Sequence, residues 1–489
     1  MSGSSDEIDC KTALDPKRNR YAVWGKARDR MIDHVWPETS PSFRIQPGAK
    51  IFTIGSCFAR NIEEYLHRLG FRIPTLDFKV PKDEWPARAN GILNKYTPAA
   101  IFQEIDWTRK IYLKGGKLTE SDSAIFLYER TDGLCIDTNL GGFVPVSRQR
   151  FFERRRQVYE TFKEAFSADY VVMTLGLVEA WFDHQQGIYI QQPPNGKDFA
   201  RERRRFAFRT LTYNQCLEFI QSTIDAIVDI NSEVRFLITT SPVPMARTFT
   251  DTDVIVANTY SKSLLRTVAG DIAASNQNVD YFPSYESVML TKSWDVWLPD
   301  LVHVTDAFVG RIVSRLTDVY CTALSDANKR LVQSYIDEQA NSVPDALKLA
   351  RQAVETSPQS GDLRKHYALL LTNSGDLIGA EQQYLEAIKL VPGDAKAHYR
   401  LSKVLANLGR PTEAIHEARL SVQLAPDEYS YHRHFGRLLR KRRKYGKAWI
   451  QFLLASVHRR IMITTNHGVR RFLRFLLPWL ERTSRRRAV

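Results

Sequence analysis

Between residues 48 and 325, short apolar runs rich in β-branched and aromatic side chains alternate with longer stretches whose apolar positions recur at helical spacing. The runs are Ile51-Phe-Thr-Ile54, Tyr170-Val-Val-Met-Thr-Leu175, Val234-Arg-Phe-Leu-Ile-Thr239 and Val279-Asp-Tyr-Phe282, and they predict strands. Helices are predicted near 57–69, 98–109, 148–167, 212–231, 253–276 and 303–324. Short, nearly continuous apolar strands separated by helices point to an α/β fold whose parallel sheet is covered on both faces. In such sheets ligands bind beyond the carboxyl ends of the strands. Between 110 and 146 the pattern shifts to strand and turn, as at Ala124-Ile-Phe-Leu-Tyr128, which reads as an insertion. Residues 1–47 are polar and rich in Pro and Asp, and read as a loosely ordered arm.

Further along, the pattern becomes purely helical and repeats. Pro358, Pro392 and Pro426 are 34 residues apart, and the same step links Gly375 to Gly409, Leu371 to Leu405 to Leu439, and Ala380 to Ala414 to Ala448. Each unit reads as two short helices, for example Leu363 to Ser374 and Ile378 to Leu390. The small residues let neighbouring helices approach, while Tyr384 and Phe452 pack bulk against them; Ala418 takes the bulky position in the middle unit. The period resembles the tetratricopeptide repeat over 346–460, with about three units and a leading half-unit. Such arrays hold a protein partner on a concave face, or serve as spacers.

Composition adds one correction to a first impression. The formal charge of +14 suggests a nucleic-acid binder, but the stretch from Arg433 to Val489 holds 17 Lys and Arg against one acid, leaving residues 1–432 at −2. The basicity belongs to a tail. Within it Gly468-Val-Arg-Arg-Phe-Leu-Arg-Phe-Leu-Leu-Pro-Trp-Leu480 interleaves arginines with Phe, Leu and Trp, as in a helix lying on an anionic membrane surface. The same residues also suit a helix capping the last repeat. No nucleic-acid module accompanies the charge, so nucleic acid is disfavoured. Five cysteines without paired or metal-ligand spacing exclude a disulfide framework and a zinc module. No apolar stretch approaches the roughly 18 residues that read as a spanning helix, and no leader is recognised at the N-terminus. The expectation is a cytoplasmic protein, peripheral on the inner face of the membrane where residues 437–489 engage it.

Two places carry candidate chemistry. In Ile51-Phe-Thr-Ile-Gly-Ser-Cys-Phe-Ala-Arg-Asn-Ile62 a strand runs into Gly55 and a helix begins at once, setting Ser56 and Cys57 at a helix N-terminus that favours an anion. Ser56 as a plain N-cap and Cys57 as a core thiol is the structural alternative. Far downstream, Trp297-Leu-Pro-Asp-Leu-Val-His-Val304 places Asp300 three residues before His303, where a carboxylate orients an imidazole as in the base half of a triad.

Gly55-Ser-Cys-Phe-Ala59 resembles the signature of the bacterial GSCFA domain family, itself similar to the SGNH/GDSL hydrolase superfamily. Further matches are Gly91 with Tyr96-Thr-Pro98, Thr174-Leu-Gly-Leu-Val-Glu-Ala-Trp-Phe-Asp183, Thr240-Ser-Pro-Val-Pro244, Ser261-Lys-Ser-Leu-Leu-Arg266 and Tyr281-Phe-Pro-Ser-Tyr285. The resemblance covers about 45–325 and implies a flavodoxin-like three-layer domain with ester or acyl-transfer chemistry and no cofactor or metal. Carried over residue by residue, it puts Cys57 in the nucleophile register, while superfamily chemistry favours Ser56. His303 is then base and acid, and Asp300 its orienter. Gly55, Gly91 and Gly176 fall in the oxyanion and substrate blocks. The superfamily's oxyanion Asn is absent at Gly176-Leu-Val-Glu179, leaving Asn90 or Asn94 as substitutes, and Glu179 stabilises no oxyanion unless protonated. Trp181, Phe182, Tyr285, Trp294 and Trp297 are aromatics that stack on sugars or fill the core.

The expected organisation is an arm at 1–47, an α/β domain at 48–325, a linker at 326–345, repeats at 346–460 and a basic amphipathic tail at 461–489. The expected function is an acyl-ester hydrolase or O-acyltransferase acting on an O-acylated glycan or a lipid-linked substrate, with a protein partner on the repeats. The alternative is a non-catalytic scaffold on a degenerate hydrolase fold.

Overall fold

The buried residues of the first two central strands alternate between two separate cores, and this alternation defines the layers of the N-terminal domain. Phe52, Ile54, Val171 and Met173 enter one core, whereas Ile51, Tyr170 and Val172 enter the other. The computed structural model describes residues 9–463 apart from 15–20, 25–27, 29, 82–83, 86–88, 143, 193, 195, 293–295, 322–323, 340–341, 427 and 443–444.

The strands in chain order are β1 (Ile51–Gly55), β2 (Leu127–Glu129), β3 (Cys135–Asp137), β4 (Tyr170–Leu175), β5 (Glu179–Asp183), β6 (Ile188–Ile190), β7 (Phe206–Thr210), β8 (Arg235–Thr240) and β9 (Val279–Tyr281). The central sheet runs β1-β4-β8-β9, all parallel. A one-residue parallel bridge from Lys50 to Arg72 sits on the outer side of β1. Counting it as a rudimentary second strand gives the flavodoxin-like order 2-1-3-4-5, whose switch point falls between β1 and β4. The four expected strands are these four. β1, β4 and β8 are buried throughout or nearly so, as a doubly covered parallel sheet requires, whereas in the edge strand β9 only Val279 is fully buried.

Helices Cys57–Arg68 and Asp306–Tyr320 cover one face, where Phe58, Ile62, Leu66, Phe308 and Ile312 share a core. Helices Pro98–Leu113, Arg148–Phe162, Tyr213–Val228 and Val254–Ser275 cover the other, contributing Ile101, Val158, Ile220 and Leu265. The stretch at 110–146 holds the β2–β3 hairpin. A buried ionic cluster ties this region to the main domain: Glu104 meets Arg155 and Lys95 at 2.7 Å each and accepts from the Asn139 side-chain amide at 2.6 Å, while Arg155 lies 3.5 Å from Asp137. Arg155 and Lys95 hold Glu104 near 2 against the opposing effect of burial. An antiparallel sheet in the order β6-β5-β7, with no counterpart among the expected elements, follows β4 directly.

From Asp326 the chain is helical. Pairs Gly361–Ser374 with Leu377–Leu390, Ala395–Asn407 with Pro411–Leu424, and Tyr429–Lys441 with Tyr445–Ile463 form the expected repeats. Ala380, Ala414 and Ala448 lie buried at their crossings. A further pair precedes them: Asp326–Gln339 and Val343–Thr356 are helices, in the stretch expected to be a linker and a half-unit. Ala346, fully buried, stands 34 residues before Ala380 and extends the alanine ladder backward. Ser334 and Ser402, 68 residues apart, each donate a hydroxyl proton to a ladder alanine carbonyl, Ala346 and Ala414, at 2.7 Å.

Asp326–Gln339 belongs to both regions. Val332 and Ile336 fill the core under Cys57–Arg68, while Ala327 and Leu331 pack on Ala353 and Leu363 of the array. A methyl group on Gly310 would stand 2.7 Å from Ile336, so the contact requires glycine there. Residues 464–489, most of the expected amphipathic tail, lie outside the described residues. Among the described residues no helix is long and apolar enough to cross a membrane.

Candidate active site at the end of the first strand

β1 ends in a turn that only glycine permits. Gly55 has φ +131°, and a Cβ there would lie 2.2 Å from the Thr174 carbonyl oxygen. The turn releases Ser56 as the N-cap of Cys57–Arg68 and puts Cys57 in the first helical position. Ser56 is bound on every side. Its N–H donates to Thr174 Oγ1 at 3.0 Å, its Oγ accepts from the Phe58 N–H at 3.3 Å, and it lies 3.3 Å from Thr174 Oγ1. It is 3% exposed, whereas Cys57 is partly open.

The sulfur of Cys57 feels opposing influences. Burial raises its pKa; the charge of Lys262 is the largest influence lowering it, followed by hydrogen bonds from the backbone N–H groups of Cys57 and Phe58 and by Arg60. Tyr96 faces it, its hydroxyl kept protonated first by burial and then by the Cys57 charge. The Asn94 side-chain amide donates to the Tyr96 hydroxyl at 3.2 Å, and the Lys95 N–H donates to Gly55 O at 2.7 Å, so the 94–96 segment lies against the strand end. Gly176 closes the site on the β4 side, where a Cβ would stand 2.6 Å from Tyr96 O and 3.4 Å from the Ser56 Cβ.

Two candidate oxyanion residues stand further back. Gly91 lies in the 3-10 turn Ala89–Leu93, against the Trp85 indole. Asn90 donates to Glu63 on the Cys57–Arg68 helix. Glu179 opens β5, and its two oxygens are taken by the Thr248 hydroxyl at 2.6 Å and the Phe249 N–H at 3.1 Å. A carboxylate so engaged anchors the 248–252 loop and donates nothing to an oxyanion.

Asp300 and His303 form the expected pair in a tight loop. Asp300 Oδ1 accepts from the Val302 and His303 N–H groups at 2.9 and 3.0 Å, and Oδ2 meets His303 Nδ1 at 2.7 Å. The backbone and ring of His303 hold Asp300 near 2. Leu301 between them takes φ +54°, a strained conformation for leucine, in a loop held by its own hydrogen bonds, Leu301 N–H to Leu298 O and Leu298 N–H to His303 O. The loop sits over the same core as Cys57, through Trp297 and Val302. The pair is about half exposed, and no hydrogen bond joins it to Ser56 or Cys57 among the described residues.

A pocket of about 100 Å³ opens beside Tyr96, lined by Glu179, Trp181, Phe208, Arg247 and Phe249. The Trp181 indole N–H in it is buried with no hydrogen-bond partner. Phe182 meets Tyr189 edge to face instead, and Trp294 lies outside the described residues. Among the described residues no group of three His, Cys, Asp or Glu gathers as for a metal ion.

Lys262 is the site residue that motif reading left without a role. It stands in the apolar stripe of Val254–Ser275 with Leu265, Ala269 and Ile272, and a lysine in such a stripe is the signal that could have found it. Its Nζ donates to Gly176 O at 2.7 Å, and its neighbour Ser261 accepts from the Val178 N–H at 3.0 Å.

A model of the GSCFA family matches residues 50–316. No curated protein matches the chain. Among solved structures the chain is similar to "MamA MSR-1 C2" at 20% identity and TM-score 0.28, covering 31% of this chain and 90% of that one. It is likewise similar to "MamA AMB-1 P212121" at 21% identity and TM-score 0.27, covering 31% and 84%. The repeat assignment rests on this chain's own helix pairs and their 34-residue step.

Proposed function

This chain belongs to the GSCFA family, and from that premise we propose that its α/β domain cleaves or transfers acyl esters, with Cys57 as nucleophile. One observation carries the reading. Cys57 occupies the first position of a helix at the sheet's switch point, where its side chain is partly open to solvent, while Ser56 is spent as the cap, its Oγ taking the Phe58 N–H. Attack by the sulfur on an ester carbonyl would place the developing oxyanion near the first turn of that helix, with the Asn94 amide as a further donor. His303, oriented by Asp300, would take the proton from the water that cleaves the acyl-enzyme.

The pocket beside Tyr96 suits a sugar-linked ester. Trp181, Phe208 and Phe249 offer faces for a ring, and the Trp181 N–H and Arg247 offer polar contacts. An O-acylated glycan or glycolipid is the substrate class this lining supports. The array supplies a groove of about 590 Å³ against the nucleophile helix, lined by Arg68, Tyr335, Glu338, Lys365, Lys396 and Arg400, which supports its reading as a protein-interaction module.

The test is incubation of the full chain with p-nitrophenyl acetate, with mass spectrometry to locate the acyl adduct. An adduct on Cys57, lost in Cys57→Ala and retained in Ser56→Ala, is expected. An adduct on Ser56 reassigns the nucleophile. The rival reading, a non-catalytic scaffold, is favoured by the engaged Glu179 where the superfamily has an Asn donor. It gains if native chain and variants all match the blank with this ester and with acetylated oligosaccharides.

A further inference from the structure

Lys262 is 1% exposed, on the helix behind the carboxyl end of β4. Its recorded hydrogen-bond partner is the Gly176 carbonyl, and among the described residues no carboxylate comes within the 4.0 Å reach of an ion pair. An ammonium held out of water by one neutral acceptor is strongly disfavoured. Such a lysine is a neutral amine, or it waits for a negative charge to form beside it.

The neighbour that can carry that charge is Cys57. Gly176 abuts Ser56, which places Nζ next to the turn that presents the sulfur. Among the described residues Cys57 is the charge that acts on Lys262. The groups facing the sulfur are Lys262 from its own helix, Arg60 from the nucleophile helix and Tyr96 from the loop beyond β1. Among the described residues neither His303 nor Lys262 is hydrogen-bonded to the sulfur, so a proton passing between Cys57 and Nζ needs one bridging water.

We infer that Lys262 is the proton acceptor for Cys57, a thiol–amine pair that activates the sulfur from the buried side while His303 serves the solvent side; this rests on the reading of Cys57 as nucleophile. As the S–C bond forms and the carbonyl π pair moves to oxygen, the thiol proton passes to Nζ. When the tetrahedral adduct collapses the C–O bond breaks, and the leaving alkoxide takes a proton from the ammonium, directly or through one water. The amine is thereby restored. Burial lowers Lys262 to about 7 while it raises Cys57, so the pair sheds its first proton near neutrality. Thiol with amine, or thiolate with ammonium, are two forms of that one state.

The test needs no ester. The full chain is alkylated with iodoacetamide across pH 5 to 10, and the rate at Cys57 is read by peptide mass spectrometry. In the native chain the rate is expected to rise through an inflection near 7. Lys262→Met should move the inflection above the ordinary thiol range and slow alkylation at pH 7.5 about tenfold or more. His303→Ala should keep the inflection near 7. An unchanged profile in Lys262→Met, or one displaced by His303→Ala, overturns the pair. Should Lys262→Met not fold, the native and His303→Ala profiles decide: an inflection at or above the ordinary thiol range in the native chain overturns it. Failure with every ester, alongside the expected profile, would overturn the catalytic reading and leave the pair standing.

Discussion

At Gly55 one missing methyl group decides where the nucleophile stands. Its φ of +131° and the Thr174 oxygen 2.2 Å from any added Cβ leave alanine no place without moving the end of β4. Gly55→Ala should cost about 2 kcal/mol or more in urea unfolding and slow Cys57 alkylation. Ser56→Ala should cost about 1 kcal/mol, the loss of an N-cap, and leave alkylation nearly intact. Equal effects of the two on alkylation would contradict the separation of cap from nucleophile. The strand-to-helix junction at Gly55 and the Asp300–His303 spacing were legible because each is a local pattern of a few residues. Lys262 was not, because its chemistry arises from a burial that involves residues 86 positions away, at Gly176. Glu179 likewise sits in the expected block, but its engagement with Thr248 and Phe249 is tertiary.

Elements with one strong period were read from the chain to within a few residues: β4 matches its run, and Gly361–Ser374 ends at Gly375 with φ +91°. The three-stranded sheet was missed because β6 has three residues and β7 alternates inside a run of arginines. The first repeat was missed because its punctuation is gone: Leu324 stands where later units have proline, and Asn341 where they have glycine. Its helices nevertheless form, and their joint with the next unit makes the array acid-sensitive. Burial, then the Arg68 and Arg400 charges, push His366 down to about 3, and its Nε2 meets the Ser334 hydroxyl, whose proton goes to Ala346 O. Nε2 therefore carries the proton in that bond. Burial pushes His434 down to about 4. A histidine whose folded pKa lies below its unfolded value, about 6.5, contributes full stability above that value and loses it as pH falls toward the folded one. Thermal melts from pH 7.5 to 4.5 should show stability falling below 6.5, by up to about 1.4 kcal/mol per pH unit for His366. His366→Gln should flatten part of that slope; parallel slopes would sink the assignment.

The α/β domain followed by helical repeats was visible in the sequence, but the joint was not, since a helix serving two cores shows neither a single apolar stripe nor loop composition. Asp326–Gln339 gives Val332 and Ile336 to one core and Ala327 and Leu331 to the other. A chain ending at residue 325 should therefore be less stable than one ending at 341, by about 3–5 kcal/mol for two uncovered aliphatic side chains. Urea unfolding of the two chains measures it, and equal midpoints would show that the helix belongs to the array alone. The Cys57–Arg68 helix meets this joint at its far end: Arg68 stacks 3.8 Å over Tyr335, and Asn328 donates to Leu69 O at 2.9 Å. The helix is thus a rigid lever, roughly 18 Å long at 1.5 Å per residue, with the sulfur at one tip and the array gripping the other. Tilting it about the gripped end by ~3° would carry Cys57 through about 1 Å, which under the proposed function would slow the reaction roughly a hundredfold. A partner seated in the array's groove, which Arg68 and Tyr335 line, would bear on the long arm of that lever.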